Sequence, residues 1–217
     1  MRGWKRNCES VTVGSMTAIP HTDWREDSSR AKRLYLLAGA NGSGKSTIAR
    51  LLLPAEGVAC VNPDDIALEL NSSAPGEARF AAGREALRRI GALLDAGKSF
   101  AIETTLSGTV HVATLRRARE LGYETTIVYV FVTSPEVCIA RIAARVRRGG
   151  HPVPDGDVRR RYVRSKRNFL EVYAPLADRW TLFFNGAAQL DMVARKDAGG
   201  RATVFSESLY RLFTEEP

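Results

Sequence analysis

The stretch that decides the fold is GANGSGKST, residues 39–47. Gly39, Gly44, Lys45 and Ser46 satisfy the pattern GxxxxGK[ST] with no adjustment. In such a loop, glycines let successive backbone N–H groups turn inward around phosphate oxygens, and the helix that follows adds its positive N-terminal end. The whole of Gly39, Ala40, Asn41, Gly42, Ser43, Gly44, Lys45, Ser46 and Thr47 is therefore assigned to nucleotide binding. Lys45 reaches the β- and γ-phosphates and Ser46 ligates magnesium, so ATP and Mg²⁺ are the expected cofactors. A merely flexible Gly/Ser turn would not require Lys-Ser-Thr at that place.

The flanks agree. RLYLLA (33–38) reads as a short buried strand, and SGKSTIARLLLP (43–54) as an amphipathic helix ended by Pro54. Further along, GVACVN (57–62), SFAIETT (99–105), TTIVYVFV (125–132) and WTLFFN (180–185) read as strands, the third of them apolar enough to be buried on both faces. Between them lie helical patterns. Phe80, Leu87, Ile90 and Leu94 fall on one side of residues 77–95, and Val112, Leu115, Ala118 and Leu121 on one side of 109–121. SPEVCIARIAARVRR opens with an N-cap serine and a proline at the first helical position, and a basic helix at 157–171 follows the HPVPDG turn. ATVF (202–205) suits a small edge strand before a closing helix. Strands alternating with helices imply an α/β fold of the P-loop NTPase type, three layers around a mostly parallel central sheet.

Two strand ends carry acids. Asp64 and Asp65 follow the second strand in VNPDDIA, and Glu103 ends the third in ETT. The C-terminal edge of an open parallel sheet is where ligands collect. A carboxylate there can take the proton of an attacking hydroxyl, although an aspartate before IALEL can equally cap a helix. Glu103 can orient a substrate hydroxyl, hold magnesium indirectly, or pair with an arginine.

Of the 217 residues, 44% are hydrophobic and the formal net charge is +8. Residues 141–167 hold ten of the 32 basic side chains and two of the 24 acidic ones, leaving 22 of each elsewhere. The chain is thus neutral apart from one cationic arm. Phosphoryl transfer needs positive charge over the migrating group and exclusion of water, and arginines on a closing lid supply both. Arg145 and Arg148 precede Gly149-Gly150, and Arg160 and Arg161 follow the HPVPDG turn, so 141–167 reads as an Arg-rich helical lid. His151 reads as a conformational contact. A focused cluster suits a small polyanion such as ATP at least as well as a nucleic-acid backbone.

Residues 1–32 lack sustained periodicity and read as a flexible N-terminal tail, with the P-loop domain at 33–217. No run reaches the length of a membrane span and the N-terminus has no apolar signal core, so a cytoplasmic protein is expected. Cys8, Cys60 and Cys138 are widely spaced and suggest neither a disulfide framework nor a zinc site.

LLAGANGSGKST, VNPDDIA, FAIETTLSG and ARVRRGGHPVPDGDVRRRYVRSKRNF, in that order and followed by WTLFFN, resemble the zeta-toxin family of P-loop kinases. The resemblance spans residues 33 to about 205. It implies transfer of the ATP γ-phosphate to a sugar hydroxyl, that of UDP-N-acetylglucosamine in the founding toxins. It places nucleotide binding on Gly44, Lys45 and Ser46, the general base on Asp64, and substrate contacts on Glu103 with Thr104 and Thr105. It puts phosphate-binding lid arginines on Arg145 or Arg148 and on Arg160 or Arg161. A small-molecule acceptor and a separate antitoxin protein are the partners it implies. In one respect the chain departs from the family: Asp65-Ile66-Ala67 follows Asp64 where the toxins place an arginine. A kinase for another metabolite or a polynucleotide end, or a nucleotide-dependent switch, are the alternatives left open by sequence.

Overall fold

The computed structural model describes residues 31–186 and 189–215. All but the last two positions of the expected tail at 1–32, Cys8 included, lie outside the described residues, and Lys32 already belongs to the first strand. The elements run β1 (Lys32–Ala38), α1 (Lys45–Glu56), β2 (Ala59–Val61), α2 (Pro63–Leu70), α3 (Arg79–Asp95), β3 (Phe100–Thr104), α4 (Val110–Glu120) and β4 (Tyr123–Phe131). They continue with α5 (Pro135–Val146), α6 (Asp155–Asn168), a π-helical turn (Phe169–Tyr173), α7 (Ala174–Leu176), β5 (Arg179–Asn185), β6 (Leu190–Lys196), β7 (Ala202–Val204) and α8 (Glu207–Thr214).

The sheet has the order β2-β3-β1-β4-β5-β6-β7. The strands β1 to β5 pair in parallel, while β6 and β7 add antiparallel. Alternation along β1 sends Leu34, Leu36 and Ala38 into the larger core and Leu37 into a second one with Ile48, Val128, Val130 and Phe183. Helices therefore cover both faces, giving the three layers expected of the α/β P-loop fold. Against α5 and α6, a third cluster joins Ala40 of the loop to Val132, Cys138, Ile142, Val158 and Tyr162. An aromatic knot closes the far side, where Phe213 of α8 packs on Tyr129, Phe131 and Phe169.

Several local expectations are revised. Helix α1 runs two residues past Pro54, because proline removes one helical N–H while the effective stop is Gly57 at φ 64°. Asn62 leaves the strand to cap α2, accepting from Asp64 N through its side chain, so neither aspartate is the cap. On α3 the buried face is Ala82, Ala86, Ile90 and Leu94; small residues let the helix approach closely, and Phe80 is left 87% exposed on the opposite side, with Leu87 also outside. Leu121 is exposed, and α4 instead buries His111, Thr114, Leu115 and Ala118.

Strand β6 had no sequence signal, since LDMVARK carries charges on both sides. It forms against the open edge that β5 offers, pairing antiparallel, with Gly186 N donating to Gln189 O at 3.1 Å. Among the described residues no helix is long and apolar enough to cross a membrane.

Candidate active site

The loop after β1 lies at the C-terminal edge of the sheet, where the chain order on either side diverges to β3 and β4. Its glycines are compelled by close approach. A Cβ on Gly39 (φ 137°) would stand 2.1 Å from the Val130 carbonyl oxygen, one on Gly42 (φ 82°) 2.6 Å from that of Cys138, and one on Gly44 (φ 105°) 2.1 Å from Asn185 Nδ2. The loop is thereby pressed against β4, α5 and the end of β5. Asn185 Nδ2 also donates to Ser43 O at 2.7 Å, and Arg141 donates to the carbonyls of Asn185 and Gly186 at 3.1 Å each. Ser43 Oγ is buried with no hydrogen-bond partner.

Lys45 lies back over the loop and donates to Ala40 O at 2.9 Å. Burial holds its ammonium pKa below the usual value, while Glu103 and Asp64 pull it back up and Arg145 adds to the depression. A buried cation that donates to a loop carbonyl, beside a glycine-rich loop at the start of a helix, has the chemistry of an anion site. The residues present fit a nucleoside triphosphate.

The acids converge on the same place. Ser46 Oγ donates to Glu103 Oε1 at 2.8 Å, and Asn62 Nδ2 donates to Glu103 Oε2 at 3.3 Å. A hydroxyl and a carboxylate side by side next to the loop fit a magnesium ion that takes its other ligands from phosphate and water. No group of three or more His, Cys, Asp or Glu among the described residues is arranged to hold a metal ion.

Asp64 and Asp65 both border the cleft but face different neighbours. Asp64 interacts with Lys45 and Arg161. The Asp65 carboxyl is held above its ordinary pKa by lost hydration and by the negative charges of Glu103, Asp64 and Glu69. Thr104 and Thr105 turn elsewhere: Thr104 Oγ1 accepts from Leu106 N at 3.1 Å, and Thr105 Oγ1 bonds Ser107 Oγ at 2.9 Å. Their hydroxyls shape the turn at Leu106 (φ 52°) and do not line the cleft.

Within each pair of lid arginines, the geometry distinguishes one. Arg145 lines the cleft, its guanidinium donating to His151 O at 2.8 Å and its stem lying against Gly150, where a Cβ would approach Cγ to 2.6 Å. Arg148 borders a neighbouring hollow instead. Arg161 donates to Asn41 Oδ1 of the loop at 3.1 Å and lies near Asp157, while the more exposed Arg160 is engaged by Asp157 at 2.9 Å. Loss of hydration and the neighbouring Arg79 lower the Arg161 pKa.

Other arginines of the arm do structural work. Lys166, too, is buried and donates to the carbonyls of Leu212 and Glu215, fastening the end of α8.

The resulting cleft measures about 530 Å³. It brings together Asn41, Gly42, Gly44, Lys45, Ser46, Thr47, Asp64, Glu103 and Arg145 from the sequence-derived set. Sequence reading missed Arg50, Asn62, Arg141 and Asn185, which also line it. Asn62 had a usable signal, a cap residue before Pro-Asp, and Asn185 had another in the Asn-Gly dipeptide; Arg50 and Arg141 had none.

Comparison with known proteins agrees with this geometry. The model of the AAA domain family matches residues 34–166. An uncharacterized protein of Haemophilus influenzae is 34% identical over 124 residues, 57% of this chain and 88% of that protein. Among solved structures, the AvrRxo1-ORF1:AvrRxo1-ORF2 complex with ATP is similar at a TM-score of 0.72 and 22% identity, covering 85% of this chain. The present chain spans 64% of the length of that one. The PezAT toxin–antitoxin system of Streptococcus pneumoniae is similar at a TM-score of 0.62 and 21% identity, covering 89% of this chain and 83% of the other. At such identities these structures attest the fold. Since the family match takes in the phosphate loop, both acidic strand ends and most of the lid, more than half of the chain, the protein belongs to the AAA domain family.

Proposed function

We propose that the protein is a phosphotransferase that moves the γ-phosphate of ATP to a hydroxyl of a small acceptor. The observation that carries this reading is the position of Asp64. Its backbone N–H is used by the Asn62 cap, but its carboxylate is free of capping duty, borders the cleft that Lys45 also lines, and attracts Lys45 and Arg161 electrostatically. A nucleotide switch needs no such base beside its phosphate site.

The transfer then runs as follows. Lys45 exchanges the Ala40 carbonyl for the terminal phosphates, and the loop amides hold the β-phosphate. The acceptor oxygen forms a bond to the γ-phosphorus as the bond to the β,γ-bridging oxygen breaks and ADP departs. Asp64 receives the acceptor proton. Arg145 and Arg161 converge on the equatorial oxygens from the lid side, and lid closure keeps water away. Ser46 and Glu103 would hold a magnesium ion, which would supply charge neutralisation at the phosphates.

The zeta-toxin resemblance makes a nucleotide sugar such as UDP-N-acetylglucosamine the first acceptor to try. Its likeness in fold to a toxin–antitoxin structure supports an antitoxin partner as part of the same reading.

The test is mass spectrometry of a bacterial metabolite extract incubated with Mg-ATP and either native protein, Lys45→Ala or Asp64→Asn, with UDP-N-acetylglucosamine added to one arm. One phosphate gained by the added sugar, absent in both variants, supports the reading in full. A phosphate on another metabolite replaces the acceptor, and ATP consumption indifferent to any acceptor sinks the transferase.

A further inference from the structure

The side-chain amide of Asn62 joins two parts of the cleft that sequence reading treated separately. Its oxygen accepts from Asp64 N at 2.9 Å, starting α2 with Asn62 itself in an extended conformation (φ −120°, ψ 115°). Its nitrogen donates to Glu103 Oε2 at 3.3 Å, while the other oxygen of Glu103 accepts from Ser46 Oγ. One planar amide thus links the phosphate-loop helix, the end of β3 and the start of α2. An ordinary cap uses only the acceptor, and serine or aspartate would serve that purpose equally well. The asparagine amide provides the acceptor and a separate donor atom in one plane, whereas a serine hydroxyl must make both bonds from a single oxygen and an aspartate has no donor.

We propose that Asn62 is a positioning residue that sets the metal-side acid Glu103 and the base Asp64 in one geometry. The inference rests on the phosphotransferase reading for the role of Asp64, but the half concerning Glu103 needs only Mg-nucleotide binding. Without the Asn62 donor, Glu103 loses one of its two side-chain hydrogen bonds and its carboxylate can rotate away from Ser46. Without the acceptor, the first turn of α2 loses its cap, and the Asp64 backbone with it.

Two substitutions separate the halves. Asn62→Ser keeps a capping oxygen and withdraws the separate amide donor, leaving only that same shorter-reaching hydroxyl toward Glu103; Asn62→Ala removes both. The first readout is the affinity of a fluorescent ATP analogue with and without Mg²⁺. Partners of metal ligands are worth roughly 10–100-fold in metal affinity or activity. The Mg²⁺-dependent gain in affinity should fall by about tenfold or more in both variants, with metal-free binding unchanged. The second readout is acceptor-dependent kcat, which should be lower in Asn62→Ala than in Asn62→Ser although their metal responses match. Retention of the full Mg²⁺ gain by Asn62→Ser overturns the Glu103 half, and equal kcat in the two variants overturns the Asp64 half. If native protein gains affinity with Mg²⁺ yet phosphorylates nothing, the transferase reading fails while the metal readout still decides the role of Asn62 at Glu103.

Discussion

At the scale of single residues, the site is built from groups whose burial is tolerable only because of what they do. Lys45 is buried, with its pKa lowered chiefly by lost hydration, so below its ordinary value the folded chain retains a cation that burial disfavours. Stability from this group therefore rises as pH climbs toward 10.5. Replacing it by methionine should leave the free protein at least as stable. The same change should abolish stabilisation by Mg-ATP, about 2.7 kcal/mol at a hundredfold excess over Kd in the native protein, as thermal melts with and without ligand will show.

His111 gives a pH dependence of the same sign in the acid range. It is buried on α4 with Nδ1 unpartnered, and burial pushes its pKa down to about 4 from 6.5. The folded chain keeps it neutral while the unfolded chain protonates it. Its contribution is fully present above pH 6.5 and is lost as pH falls toward 4. Urea unfolding should show about 2 kcal/mol less stability at pH 5 than at pH 7.5 from this residue, and His111→Leu should remove that share of the slope. These residue-level facts were only partly legible. The pattern GxxxxGK[ST] names Lys45 because backbone and side chain cooperate within eight residues, whereas nothing local marks His111 as buried.

At the scale of elements, the lid is where spacing along the chain stops short. RVRRGG and VRRRY each offer equivalent-looking arginines, and the choice between neighbours depends on helix phase against the loop. Arg161 shares the inner side of α6 with Val158 and Tyr162, which anchor the helix under the loop, while Arg160 points one step further round. Arg161→Ala should lower acceptor-dependent kcat roughly 100-fold or more, and Arg160→Ala should stay near native activity, measured in parallel under saturating Mg-ATP. Comparable losses in the two variants would remove the distinction. Helix α3 teaches the same lesson on stability: its alanine face at Ala82 and Ala86 decides the packing, and the large residues Phe80 and Leu87 stay outside. Hydrophobic spacing marks a helix, but its rotation is set by how closely its neighbours can approach.

At the scale of the whole molecule, the charge of +8 sits in one arm, of which the fold draws Arg141, Arg161 and Lys166 at least partly inward and leaves the other basic side chains exposed. Arg141 braces the end of β5, Arg145 lines the cleft, Arg161 bonds Asn41 of the loop, and Lys166 fastens α8. Such focusing suits a small polyanion. At about 0.15 M salt, a single-stranded oligonucleotide should not displace a fluorescent ATP analogue, and ATP affinity should weaken only gently with added salt. A steep salt dependence with effective oligonucleotide competition would instead favour a polynucleotide acceptor. The sequence by itself determined the phosphate loop, the alternation of strands and helices, and the acids at the ends of β2 and β3. These are local or periodic features, written within one loop or one element. Only the tertiary structure decided that Asn62 joins Glu103 to Asp64, that Asn185 backs the loop from 142 residues away, and which arginines face the cleft. Those contacts lie between elements distant in sequence, and their formation depends on sheet order and helix rotation, which no single segment encodes.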